Sequence, residues 1–119
     1  MNKEDYCVGK DYTIKEAMQV FDRNRERGLV VLGEEGKICG FLSMGDIIFA
    51  LLDGKNMYSQ VGQICNPSFL YLYEKNYEEA FEIFKKRNVS WVPIVDRKMH
   101  LVDVITAREM FGKLELRQE

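Results

Sequence analysis

Two places in the chain set a hydroxyl three residues ahead of a carboxylate directly after an apolar run: Ser43 with Asp46 in GFLSMGDI, and Thr106 with Glu109 in DVITAREM. That spacing is a capping box, in which each side chain satisfies a backbone N–H at the start of a helix. Such a terminus also offers unpaired N–H groups to an anion, so the same residues suit a negatively charged ligand. Gly45, between the pair, lets backbone approach a ligand closely.

Other candidates for chemistry are thin. His100 is the sole histidine and lies in a predicted turn, without a neighbouring acid or nucleophile in the sequence pattern, so it is expected to be exposed and non-catalytic. Cys7, Cys39 and Cys65 are odd in number and widely spaced. That pattern speaks against structural zinc and against a disulfide framework, and Cys39, in a strand pattern, is expected to pack as a small apolar residue. The spacing of Gly33, Gly36 and Gly40 is hairpin chemistry rather than a dinucleotide fingerprint.

The elements that position the two hydroxyl–carboxylate pairs are themselves repeated. TIKEAMQVF, from Thr13, aligns with NYEEAFEIF, from Asn76, and the same offset carries Val31 to Ile94, Leu42 to Ile105, Ser43 to Thr106 and Asp46 to Glu109 without a gap. Each half predicts a helix opened by Thr13 or Asn76 with Glu16 or Glu79 three residues later. Two strands follow, Leu29 to Leu32 and Ile38 to Leu42 in the first half, Trp91 to Val95 and Leu101 to Ile105 in the second. A second helix then begins at Ser43 or Thr106. An extended leading strand is predicted at Phe69 to Tyr73, with a weaker counterpart at Tyr6 to Val8. We divide the chain into a first repeat, 1–54, a linker, 55–67, with a short helical turn at Val61 to Ile64, and a second repeat, 68–119. A half of roughly sixty residues buries little apolar surface alone, which predicts two halves packed about a pseudo-twofold axis. The class is α+β, or α/β in schemes that count mixed sheets.

Composition agrees with an ordinary globular domain: 119 residues, 46% hydrophobic and 30% charged. A formal net charge of -2 without long basic runs argues against nucleic acid, whose binding rests on clustered Lys and Arg. No apolar run is long enough to span a bilayer, and a reduced cytoplasmic protein without a membrane is expected.

The repeated helix, two strands and helix, with G-h-h-S-x-x-D-h closing the first copy and WVPIVD and LVDVITAREM in the second, resembles a pair of CBS (cystathionine β-synthase) domains over Tyr6 to Phe111. The resemblance implies a non-catalytic regulatory module. It implies an adenosine-containing ligand in the clefts between the repeats: AMP foremost, with ADP, ATP or S-adenosylmethionine as alternatives, and no required cofactor. By position, Asp46 would accept from the ribose hydroxyls, two donors that suit one carboxylate, while Ser43 and adjacent N–H groups face a phosphate. Thr106, Arg108 and Glu109 would form a second, weaker site. There Asp103 replaces Gly40, Glu109 is longer than Asp46, and Arg108 is the cation available to offset the added charge. Trp91, Val92 and Pro93 are candidate base contacts, as are the aromatics at Tyr71 and Tyr73.

The segments LLDGKNMYSQVGQICNPSF and VPIVDRKMHLVDVIT are also similar to CBS pairs preceding sugar-1-phosphate nucleotidyltransferase domains. That implies a regulatory segment separated from its enzyme. A third expectation is a ligand-free scaffold. Ile47, Ile48, Leu51 and Leu52 form an apolar face suited to a homodimer. The regulated enzyme or fused domain is not specified by the sequence.

Overall fold

The computed structural model describes residues 1–118, with side chains described as far as Lys113. The elements run β1 (Cys7–Gly9), α1 (Ile14–Asn24), β2 (Gly28–Leu32), β3 (Ile38–Ser43), α2 (Met44–Leu52), α3 (Tyr77–Lys86), β4 (Trp91–Val95), β5 (Leu101–Thr106) and α4 (Ala107–Gln118). The chain divides into two compact units, one spanning Asn2–Phe69 and the other beginning at Leu70. Each repeats the same order of helix, hairpin and helix. The class is α+β.

In the first unit β1 pairs parallel with β2, and β2 pairs antiparallel with β3. The helix α1 opens on a complete capping box: Glu16 N–H donates to Thr13 Oγ1 at 3.1 Å and Thr13 N–H donates to Glu16 Oε1 at 3.0 Å. One apolar stripe, Ile14, Ala17, Val20 and Phe21, then faces Leu29, Val31, Leu42 and Ile47 in the core. The 55–67 segment joins this unit. Ile14 N–H donates to Ser59 O, Val61 N–H donates to Tyr12 O, and Val61 is fully buried in the same core. A single 3-10 turn, Val61–Gln63, occupies the predicted helical turn.

The second unit has β4 antiparallel to β5 and its own core of Leu72, Ala80, Val92, Ile94, Ile105 and Met110. Asn76 caps α3 by accepting from Glu79 N–H at 3.1 Å. Both hairpins break register at the same place. Val31 faces Gly40 and Leu32 faces Ile38, leaving Cys39 as an extra residue; Ile94 faces Asp103 and Val95 faces Leu101, leaving Val102 in the same way. The repeat therefore extends to an irregularity that sequence alignment alone does not display.

The leading strand differs between units. The predicted extended run Phe69 to Tyr73 is reduced to one bridge, Leu72 with Ile94, made by Leu72 N–H to Pro93 O and Val95 N–H to Leu72 O. In the first unit Val30 N–H donates to Tyr6 O at 2.9 Å and fastens the start of β1. Pro93 stands where Val30 stands and has no N–H to give, so the equivalent fastening is absent and the ladder stays short.

Candidate functional site

Ser43 ends β3 and caps α2. Its Oγ accepts from Asp46 N–H at 3.0 Å, and its own N–H donates to Asp46 Oδ2 at 2.8 Å. Its backbone lies in the extended region, at φ -99° and ψ 162°, which aims the hydroxyl across the first turn. The hairpin holds this corner: Met44 N–H donates to Arg27 O, and Gly28 pairs with Ser43. Ser43 and Asp46 are half-buried while Met44 and Gly45 are exposed. A carboxylate offers about four lone-pair positions, and the cap engages one oxygen, so capping leaves Asp46 able to accept further donors. A Cβ at Gly45 would lie 3.6 Å from Ser43 Oγ, an ordinary contact. The fold therefore does not itself require glycine there.

The corresponding corner of the second unit is wired differently. Thr106 Oγ1 accepts from Glu109 N–H at 3.0 Å, as expected of a cap. The Glu109 carboxylate accepts a hydrogen bond from the Tyr77 hydroxyl and an ion pair from Lys75 Nζ at 3.2 Å. Lys75 also reaches Asp103 Oδ2 at 3.4 Å. The cation beside Glu109 is thus Lys75, on the segment leading into α3, whereas Arg108 is an exposed side chain of α4. Sequence reading missed Lys75 because nothing in a linear pattern shows that it lies beside a carboxylate on α4. The arrangement also answers the expected repulsion from Asp103: one ammonium serves both carboxylates. Partial burial opposes ionisation of Glu109, but the donors Tyr77 and Lys75 together hold its carboxyl below the ordinary range. The same bond to Glu109 pushes the Tyr77 hydroxyl up.

Among the candidate base contacts, Trp91 is 1% exposed, and Val92 and Pro93 are equally buried in the second unit. The Trp91 ring offers no open face for stacking. Tyr73 is exposed, and the Arg97 guanidinium lies over it, 4.2 Å from the ring centroid; Tyr71 meets Tyr73 edge-on with centroids 5.6 Å apart.

Two further expectations are corrected. His100 is half-buried rather than exposed, and its Nδ1 lies 3.2 Å from Asp96 Oδ2. The turn it closes is organised by Asp96 Oδ1, which accepts from the N–H groups of Lys98 and His100. Cys39 is exposed rather than buried, because it falls on the outward side of β3, between buried Ile38 and Gly40.

The α2 face is also redistributed. Ile47 is buried and Leu51 half-buried, while Ile48 is 57%, Phe49 73% and Leu52 79% exposed. Phe49 joins the outward face without having been singled out in the sequence. A groove of about 800 Å³ between α1 and α2 is lined by Met18, Phe21, Arg25, Met44, Ile47 and Ile48, among others. No group of His, Cys, Asp and Glu among the described residues is arranged to hold a metal ion. No helix among them is long and apolar enough to cross a membrane.

Two copies of one supersecondary unit, each ending in a hydroxyl-capped helix, define a tandem-repeat domain. The chain belongs to the CBS domain family, whose description matches residues 1–53 and 61–115. It is 27% identical over 119 residues to homoserine O-acetyltransferase of Methanosarcina acetivorans, covering 97% of this chain and 22% of that protein. Among solved structures it resembles protein MJ1225 of Methanocaldococcus jannaschii, described as a putative archaeal homologue of the AMP-activated kinase γ subunit: TM-score 0.81, 25% identity, 98% of this chain and 48% of that one. It also resembles the CBS domain pair of protein MJ0100 in complex with 5-methylthioadenosine and S-adenosyl-L-methionine: TM-score 0.72, 22% identity, 96% and 90% coverage. The chain spans less than half the length of the curated relatives it matches.

Proposed function

We propose that this chain is a non-catalytic regulatory module that binds an adenine nucleotide, AMP foremost, with ADP, ATP and S-adenosylmethionine as alternatives. The observation that carries the reading is the Ser43–Asp46 corner. A half-buried carboxylate with lone pairs to spare stands in the first turn of α2, beside the exposed backbone of Gly45. The carboxylate suits a ribose diol and the helix terminus suits a phosphate. The adenosine compounds bound by MJ0100 support this class of ligand.

At the second corner, Lys75 already pairs with both Asp103 and Glu109, and Tyr77 occupies the Glu109 carboxylate. A nucleotide binding through Thr106, Arg108 and Glu109 would have to break these contacts, so we assign that site the lower affinity. Regulation would follow if the ligand binds one arrangement of the protein better than another; a coupling of about 1–3 kcal/mol changes a partner's affinity about 5- to 150-fold. The regulated protein is a domain or subunit outside this chain. We assign it a cytoplasmic location, no nucleic-acid or membrane partner, and a homodimer formed through the outward α2 face.

A second reading has its own observation. The Asp46 carboxylate already satisfies the Ser43 N–H, and a capping role alone, worth about 1 kcal/mol, accounts for the pair in a ligand-free scaffold. Thermal unfolding of the wild type and of Asp46→Ala with each of the four compounds separates the two. A ligand at a hundredfold its dissociation constant should stabilise the wild type by about 2.7 kcal/mol. Asp46→Ala should start lower, from the lost cap, and respond much less. No response to any compound, or equal responses from both proteins, overturns nucleotide binding at Asp46.

A further inference from the structure

We propose that the segment Cys65–Asn66 is a strap that couples the Ser43–Asp46 corner to the linker, and that Gly40 is the positioning residue that lets it close. The inference rests on the nucleotide reading of that corner and names its regulation. β3 carries the corner at its end, and shortly before Ser43 the strap crosses it: Phe41 N–H donates to Asn66 O and Asn66 N–H donates to Phe41 O, both at 2.8 Å. The crossing is close. A Cβ on Gly40 would lie 2.5 Å from Cys65 Sγ and 3.0 Å from Asn66 O, so any side chain there must displace the strap.

The two ends of the strap are held unequally. At its start Val61 is fully buried in the core, Gly62 N–H donates to Lys10 O at 2.9 Å, and a Cβ on Gly62 would lie 2.8 Å from that oxygen. At the far end Cys65 is half-buried, and Asn66, Pro67 and Ser68 are exposed. A segment with few buried apolar contacts and a solvated bridge belongs to the low-stability part of a fold and opens while its anchor stays. Beyond it the chain runs through Phe69 to Leu70, where the second unit begins.

The second unit is built otherwise. Asp103 stands in the place of Gly40, and the N–H of Val104, which stands where Phe41 stands, donates to Asp103 Oδ1 at 2.8 Å. There β5 satisfies this donor from its own side chain, whereas β3 takes a partner from the linker. The coupling therefore belongs to the first corner. With the strap closed, the end of β3 is fixed, and with it Ser43 and the first turn of α2. A ligand spanning the carboxylate and the helix terminus binds that arrangement better. By linkage it slows the opening of the strap by the same factor that opening costs its affinity.

The test follows amide exchange by NMR at Phe41, Asn66, Gly62 and Val104 in the wild type, Asp46→Ala and Gly40→Ala, alone and with saturating AMP, ADP, ATP or S-adenosylmethionine. In the wild type a bound compound should slow exchange at Phe41 and Asn66 about fivefold or more and leave Gly62 and Val104 unchanged, and Gly40→Ala should raise the dissociation constant by a similar factor. Without any compound, Asp46→Ala should speed exchange severalfold at Phe41 and Asn66 only. Asn66→Pro withdraws one donor of the bridge and leaves Gly40 untouched; it should repeat the affinity loss, and it stands in if Gly40→Ala fails to fold. Exchange at Phe41 and Asn66 that ignores Asp46→Ala, or that moves together with Gly62 and Val104, overturns the strap. So does a compound that binds the wild type and the strap variants equally. If none of the four compounds binds while Asp46→Ala still loosens the strap, the nucleotide reading fails and the coupling stands.

Discussion

The Tyr77 hydroxyl donates to the carboxylate of Glu109, joining the first turn of α3 to the first turn of α4. The first unit has no counterpart at this position, because Ile14 stands where Tyr77 stands and its side chain is fully buried. Tyr77→Phe removes a bond to a charged acceptor at a half-buried position. We expect a loss of about 1 kcal/mol in urea unfolding, less than the usual value for a bond to a charged group because the site is partly solvated. An unchanged urea midpoint would mean that Lys75 alone suffices for Glu109.

Acid should act through carboxylates held low in the folded protein, Glu109 and Asp96 among them. Glu109 is held below the ordinary range by Tyr77 and Lys75 against its partial burial. Asp96 is held down by the N–H of His100 first and, against some burial, by that of Lys98. In both cases the folded protein binds a proton less readily than the unfolded chain, so their contribution is complete above the unfolded carboxyl values of about 4 and is lost as pH falls through the lower folded values. Unfolding midpoints measured from pH 6 to pH 2 should fall along this limb, and Glu109→Gln should flatten it. A limb of unchanged steepness in Glu109→Gln would place the acid sensitivity elsewhere.

Glycine substitutions should separate by the space each one has. At Gly28 a Cβ would lie 2.2 Å from Cε1 of Phe41, so Gly28→Ala must displace that ring, and a cost of about 1–3 kcal/mol is expected for overpacking. Gly112, within α4, has nothing within 4 Å of its Cβ position. Gly112→Ala should stabilise by up to about 1 kcal/mol through helix propensity. Chemical denaturation of the two variants tests both signs.

The outward face of α2 predicts the behaviour of the protein in solution. With Phe49 and Leu52 largely exposed, a pair of chains has apolar surface to bury there. Phe49→Glu should shift sedimentation from dimer toward monomer at micromolar concentration while leaving the circular dichroism spectrum unchanged. A wild type that already sediments as a monomer would count against assembly through this face.

Much of this was legible before any coordinates. The repeat, the capping residues Thr13, Asn76, Ser43 and Thr106, and the hairpins follow from local rules, since a cap or an alternation is written within a few residues. What escaped depends on tertiary neighbours. Lys75 drew no notice because its carboxylate partners lie well downstream. Trp91 looked available for stacking because exposure is not encoded in residue type. Cys39 was assigned to the interior from its small apolar character, although it alternates outward between Ile38 and Gly40. Pro93 was read as part of a family pattern, whereas its effect is exerted on a strand more than twenty residues upstream.

That proline has a further consequence for keeping the molecule soluble. A strand flank with regularly spaced donors is a template on which an extended segment of another chain can assemble, and proteins commonly guard such flanks. In the first unit, β1 covers this side of β2. In the second, Leu72 bridges this side of β4, and the pyrrolidine ring removes a donor from the middle of that flank. The residue that shortens the native ladder thereby also discourages a foreign one.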